Sequence, residues 1–273
     1  MPVEMQQRRE QDQSIAGRFE MLRRLPESRL AGIVTDICGY RETAAAHFTN
    51  IEYASLTIPL VISFAEPFAI GLGKAPGSND RFGSFAAGLY AGPVMIESFG
   101  AAACVQINFT PLGARRFFGL PLSELTDRMV DLHNALGWEG VSLRERLGNA
   151  RDWSTRFDLA EAFVAEHMAS KPGVRPEIAW AYGHILGSGG RTRIATLAGE
   201  IGWSRKHLAA EFTDAVGLGP KTLSRIVRFN RALRLSATQD WAGIAVDCGY
   251  ADQAHLAREF RQMAGHAPTA LAI

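Results

Sequence analysis

The sequence is short of cysteine, of long apolar runs and of net charge, and each scarcity excludes something. Its three cysteines, Cys38, Cys104 and Cys248, lie far apart with no Cys-x-x-Cys pair, so neither a disulfide framework nor a zinc site of Cys/His spacing is indicated. No stretch reaches the roughly 18 uninterrupted apolar residues of a membrane-spanning helix. The N-terminal stretch MPVEMQQRREQDQSIAGRFEML is polar, carries both charge signs and lacks the apolar core of a secretory signal. These absences predict a cytoplasmic protein that makes no membrane contact. What is present is ordinary: 273 residues, 47% hydrophobic and 21% charged, with a formal charge of +1. At roughly 100–200 residues per domain this suggests two domains, and it excludes collagen-like, low-complexity and wholly disordered chains.

Net charge hides an asymmetry. From Val174 onward there are 12 basic and 8 acidic residues, against 17 and 20 before it. A basic C-terminal third points toward nucleic acid when structure supports it. The sequence divides at Lys171-Pro-Gly173 and Pro176, because proline removes a helical donor and disfavours helix in the residue before it.

Residues 1–30 read as a polar arm that turns helical late, with Ile15, Phe19 and Leu22 one turn apart. From about Thr35 to Pro111 the pattern becomes short β-prone runs broken by glycine and proline: Tyr53–Phe64, Phe68–Leu72, Arg81–Leu89, Val94–Phe99 and Ala103–Phe109. In the last of these Val105, Ile107 and Phe109 alternate with Gln106 and Asn108, the period of a strand with one buried face. Several such runs predict a small antiparallel barrel or sandwich. Helical spacing then predicts Leu112–Phe118, Leu122–His133, Ser142–Leu147 and Trp153–Met168, and beyond Glu177 almost everything reads as helix. The fold class is therefore α+β.

The C-terminal third contains an internal repeat. Glu200–Phe212 recurs as Asp247–Phe260 with one extra residue in the turn, after which the register is fixed: His207 with His255, Leu208 with Leu256, Glu211 with Glu259, Phe212 with Phe260, Gly217 with Gly265, Pro220 with Pro268. Each copy is laid out as a helix-turn-helix. Gly202 and Gly249 sit where the first helix stops and the chain needs a positive φ. Ser204 and Asp252 are placed to cap the second helix. Leu208, Phe212, Leu256 and Phe260 pack it on the first, so its remaining face is free to enter a major groove. Between the copies, Pro220–Leu235 reads as a helix roughly 24 Å long.

These residues resemble the DNA-binding domain of the AraC/XylS family of transcription regulators, over about Ile178–Leu271. The second motif and the residues after it carry most of the likeness: Ala245, Cys248-Gly-Tyr, Gln253, His255-Leu, Phe260-Arg, Gly265 and Pro268-Thr. The resemblance implies a DNA-binding domain at 177–273, with motifs at about 194–213 and 241–261 and a connecting helix at about 220–236. It implies double-stranded DNA as partner. The base-facing positions fall on Arg205, Lys206, Ala209 and Ala210, and on Gln253, Ala254, Ala257 and Arg258. The alanines offer only a methyl, so polar readout falls to Arg205, Lys206, Gln253 and Arg258, arginine favouring guanine and glutamine adenine. For Arg205 and Lys206, contact with phosphate alone is an equal alternative. Ser204, His207 and His255 are further contact candidates. Arg225, Arg228, Arg231 and Arg234 recur every three residues on the connecting helix, either as backbone anchors or as solvated surface.

The segment 31–170 resembles, more loosely, the cupin-like barrel with helices that many regulators of the family carry for effector sensing or dimerisation. Its phenylalanines, Phe64, Phe68, Phe82, Phe85 and Phe99, line an apolar pocket or form plain core. Trp153–Met168 packs on its own barrel or pairs with a second copy. The cupin metal pattern is absent, since His47 stands alone and His133 lies in a predicted helix, so no cofactor or metal is expected. Cys38 reads as a buried thiol. Three functions compete: a regulator controlled by a small-molecule effector or dimerisation, a regulator controlled by abundance or a protein partner, and an enzyme targeted to DNA. Either regulator, once on DNA, is expected to contact or block RNA polymerase. The enzyme needs a metal or nucleophile cluster, and none is found, so a non-enzymatic regulator is expected.

Overall fold

The computed structural model describes residues 18–169 and 171–271. Its N-terminal half holds the strands β1 (Phe19–Arg24), β2 (Val34–Glu42), β3 (Phe48–Glu52), β4 (Ile58–Ser63), β5 (Phe68–Leu72), β6 (Arg81–Phe82), β7 (Phe85–Ala87), β8 (Val94–Ser98), β9 (Ala103–Phe109) and β10 (Met129–Asp131). They form two antiparallel sheets, ordered β1-β2-β9-β4-β7-β10 and β3-β8-β5-β6. The sheets face each other without closing into a barrel.

Strand alternation decides which side chain goes where. On one face of the larger sheet, Ile37, Leu60, Ile62, Val105, Ile107 and Phe109 are buried beneath helices. On the other, Val61, Phe85 and Cys104 meet Phe68 and Ile70 of the smaller sheet. Strand β9 is covered on both sides, so the expectation of one buried face is corrected. Asn108 is buried, and its amide donates to Asp36 Oδ1 (2.9 Å) while its own Oδ1 accepts from Gln106 (2.8 Å). Paired in this way, the polar groups escape the cost of burial without partners.

Two further sequence expectations fail. The helical arm is instead strand β1, held across its whole length by β2 (Phe19 opposite Glu42, Arg24 opposite Ile37). Ile15 lies outside the described residues. The predicted helix Leu122–His133 is a short 3₁₀ turn at Leu122–Glu124 followed by β10. Between them Asp127 takes φ 57, a left-handed conformation that aspartate tolerates and that ends a right-handed helix.

The helices are α1 (Pro111–Phe118), α2 (Leu132–Asn149, kinked at Gly137), α3 (Trp153–Met168), α4 (Pro176–Gly187), α5 (Ile194–Glu200), α6 (Arg205–Val216), α7 (Pro220–Leu235), α8 (Trp241–Asp247) and α9 (Gln253–Ala264). Phe117 and Phe118 of α1 stack on Phe109 of β9, and Phe163 of α3 meets Phe117. The apolar face of α3 is thus buried within its own chain. One continuous buried cluster runs from the larger sheet through α1 and α3 into the helices beyond residue 176.

Polar contacts tie the halves at two places. At the first, Thr126 donates to the carbonyl of Gly217 (2.6 Å), Arg115 pairs with Asp214 (3.3 Å) and Arg175 with Glu211 (3.6 Å). At the second, the Ala54 amide donates to the Met263 carbonyl (3.0 Å), and Tyr53 and His266 share a 2.9 Å hydrogen bond.

Gly190 shows how tightly the helical half is packed. It has φ +76, and a Cβ there would stand 2.2 Å from the Ser224 carbonyl of α7. Gly190→Ala should therefore cost about 1–3 kcal/mol or more and lower Tm by several degrees. Gly199→Ala, in open space on α5, should be neutral or stabilise by up to about 1 kcal/mol. Parallel thermal and urea unfolding of the two variants checks the contrast.

Candidate nucleic-acid interface

The two halves of the repeat fold alike in detail. Helix α5 stops at Gly202 (φ 72) and α8 at Gly249 (φ 74). The next residues bond back to the helix just ended: Trp203 N–H donates to Ala198 O and Tyr250 N–H to Ala245 O, both at 2.8 Å. Ser204 and Asp252 then cap the following helices by accepting from the amides of His207 (3.1 Å) and His255 (2.6 Å). Gly217 (φ 88) and Gly265 (φ 82) end those helices in the left-handed conformation.

Each second helix has one dry and one wet face. Leu208, Phe212, Ala215 and Val216 of α6 are buried, as are Leu256, Phe260, Met263 and Ala264 of α9. Ser204, Arg205, Lys206, His207 and Ala210 are exposed, with Ala209 half-buried. On α9, Gln253, Ala254 and Arg258 are exposed, and His255 and Ala257 half-buried. The four residues nominated for polar readout therefore all lie on uncovered surface. The two histidines lean on aromatic neighbours, His207 on Trp203 (4.4 Å between centroids) and His255 on Tyr250 (5.4 Å).

The arginine stripe of α7 is divided. Arg225 Nε donates to Glu259 Oε1 at 2.7 Å and Arg228 donates to the same oxygen at 3.2 Å, while Arg225 also reaches Gln262. Both are fixing α9 to α7. Arg231 lies against Gly189, and Arg234 is exposed. Glu259 is buried, with His255 Nε2 3.7 Å from its Oε1. Its Oε2, Arg228 Nε and the Tyr250 hydroxyl have no hydrogen-bond partner among the described residues. Burial, reinforced by Glu259, pushes the Tyr250 phenol well above its ordinary value and keeps it neutral.

Beside this cluster runs an open groove of about 850 Å³ between the start of α5, α7 and α9. Arg191, Arg193, Lys221, Arg225, Arg228 and Arg258 all line it. The sequence reading missed Arg191, Arg193 and Lys221. The signal available was Arg191-Thr-Arg193 immediately before the first motif, but only the fold brings it opposite α9.

Elsewhere the candidates resolve into packing. Phe68, Phe82 and Phe85 join the cluster between the sheets, whereas Phe64 packs near Trp153 and Phe99 stacks on His47. All three cysteines are buried, and burial raises the Cys104 thiol far above its ordinary value. Among the described residues no three His, Cys, Asp or Glu side chains are grouped to hold a metal, and no helix is long and apolar enough to cross a membrane.

Residues 197–272 match the family model described as a helix-turn-helix domain. The C-terminal domain is an AraC-type helix-turn-helix domain. An AraC-type domain is the DNA-binding part of a transcription regulator. Among solved structures, the chain is similar at low identity to ToxT from Vibrio cholerae (13% identical, 92% of this chain and 96% of that one covered, TM-score 0.43). A second structure, of unsaturated fatty acid bound wild-type ToxT from Vibrio cholerae strain SCE256, is 12% identical, with 84% and 95% covered and TM-score 0.41. The AraC-like transcriptional activator CuxR is 16% identical, with 84% and 90% covered and TM-score 0.31. No curated protein sequence matches the chain.

Within this AraC-type domain, the repeat-related carboxylates Glu211 and Glu259 sit in opposite surroundings. The side chain of Glu259 is 5% exposed and that of Glu211 37%. Removing a buried partner strands the charges left behind, whereas an exposed pair contributes little. Glu259→Ala should cost about 3 kcal/mol, because it leaves Arg225 and Arg228 without their carboxylate. Glu211→Ala should cost less than about 1 kcal/mol. Urea unfolding of both variants measures the difference.

Proposed function

We propose that this chain is a sequence-specific transcription regulator that places α6 and α9 in successive major grooves of double-stranded DNA. The observation that carries this reading is the repeated geometry: two capped helices, each buried behind and bare in front, joined by a helix of 16 residues. That helix is roughly 24 Å long, and with the width of the motifs at its ends it fits major grooves about 34 Å apart. Arg205, Lys206, Gln253 and Arg258 supply polar base contacts, and Ala209, Ala210, Ala254 and Ala257 supply shape and methyl contacts. Ser204, His207 and His255 lie beside the caps, where helix N-termini meet phosphate. Arg225 and Arg228 act on the backbone from the groove wall that Glu259 fixes, joined there by Arg191, Arg193 and Lys221. Their charge makes affinity fall with salt.

The N-terminal half then serves as the controlling domain, through a small-molecule effector or a second copy of the chain, and the DNA-bound protein acts by contacting or blocking RNA polymerase. The joint core supports such control, because a change in the sheet domain reaches α6 and α9 through packed side chains.

Selection from random duplexes tests the reading. Wild type should select two read segments about one helical turn apart, with log affinity falling linearly in log salt. Arg258→Ala should relax only the segment read by α9, at a cost of about 1–3 kcal/mol, and Arg205→Ala only the other. Binding that ignores sequence at every salt concentration sinks the readout assignment.

A further inference from the structure

A second cleft, of about 470 Å³, opens where α1, residues 171–175 and α6 meet. Arg115, Arg116, Lys171 and Arg175 supply four cations to its wall, against two carboxylates, Glu211 and Asp214. The carboxylates are matched with Arg175 and Arg115. The other two cations rest on neutral groups. Arg116 donates to the carbonyls of Lys171 (3.2 Å) and Met168 (3.4 Å). Lys171 Nζ donates to the Phe117 carbonyl and to His167 Nε2. Among the described residues neither forms an ion pair within 4 Å, and Glu139, bonded to the far side of His167, acts on Lys171 from a distance. Burial and the neighbouring lysine hold the His167 pKa below its usual value, which suits it to accept that proton. The cleft therefore carries two positive charges more than negative ones, beside an apolar floor of Phe118, Ile178 and Ala215.

We propose that this cleft binds a small organic dianion, a phosphate monoester or a dicarboxylate, and that binding weakens the hold of the sheet domain on α6. The inference rests on the regulator reading above for its consequence, but not for the site itself. Arginine forks match both kinds of anion, and charge-assisted bonds to a dianion outcompete single, half-exposed ion pairs. A dianion seated against Arg116 and Lys171 draws Arg115 and Arg175 from Asp214 and Glu211. Those two carboxylates belong to the first DNA-reading helix. Once released, α6 is fixed less firmly relative to α9, so a site requiring both helices is bound more weakly. By linkage, DNA lowers affinity for the dianion by the same factor.

The test uses the full chain, with glucose 6-phosphate and phthalate as probes and glucose and benzamide as uncharged controls. Calorimetry without DNA should show at least one dianion binding saturably and neither control doing so, with the two dianions telling phosphate from dicarboxylate. Lys171→Gln, which keeps a donor for the Phe117 carbonyl, should weaken binding about tenfold. Arg175→Gln, on an exposed side chain, should weaken it as well and guards against a folding defect in the first variant. Saturating dianion should then reduce affinity for the selected DNA by about fivefold. Absence of saturation by both dianions up to about 20 mM, well above a Kd of 1 mM, overturns the site, and so does equal binding of the uncharged controls. Saturation without any change in DNA affinity overturns the coupling and leaves the site. A chain that binds the dianion but never binds DNA refutes the regulator reading instead.

Discussion

A helix that reads DNA has to leave one face in water, so whatever fixes its direction must act from behind or from its far end. This constraint shapes the whole C-terminal half. On α6 and α9 one face is bare from the first turn onward, while the other, from Leu208 to Val216 and from Leu256 to Ala264, is buried. Helix α6 is held at its end by the sheet domain, through Thr126 on the Gly217 carbonyl and the ion pair of Arg115 with Asp214. Helix α9 is held from behind by α7, through the buried carboxylate of Glu259. The same fold, repeated, is therefore anchored by two different kinds of interaction.

The difference matters energetically. Half-exposed pairs such as Arg115 with Asp214 are screened and replaceable, and each contributes between nothing and about 1 kcal/mol. A buried carboxylate shared by two arginines is costly to break, because part-buried Arg225 and Arg228 would lose the one acceptor they share. The second motif is in this sense clasped within the helical half by a buried carboxylate, while the ion pairs that join the first to the sheet domain and the linker are half-exposed.

How much of this was legible in the sequence depends on the range over which each feature is determined. Strands β5 and β9 were read to the residue, because their runs are bounded by glycine and proline and their apolar content is local. The caps and turns of the motifs were equally legible: Ser204, Asp252, Gly202 and Gly249 act within four residues of themselves. Phe19–Arg24 was misread because its apolar spacing fits a helix, and only pairing with β2 makes it a strand. The helix expected across Leu122–His133 is interrupted at Asp127, where one left-handed residue outweighs a helical pattern on both sides. The stripe from Arg225 to Arg234 gave no hint that two members would be taken up by Glu259, some thirty residues away. The basic residues Arg191, Arg193 and Lys221 gained a role only when α5, α7 and α9 closed around a groove.

Spacing remains the requirement that joins these contacts into one machine. Two reading helices are useful only if their separation is held against thermal motion, since a site that depends on both loses affinity with every orientation they do not share. Helix α7 sets the distance along one line, and Glu259 with Phe229 and Phe260 clasps α9 to it. The sheet domain adds to that hold by gripping both ends, at Gly217 beside Thr126 and at Met263 and His266 beside Ala54 and Tyr53. The relative placement of α6 and α9 thus rests on contacts from both halves of the chain. Contacts between the halves therefore help to fix how the two bare helix faces are presented.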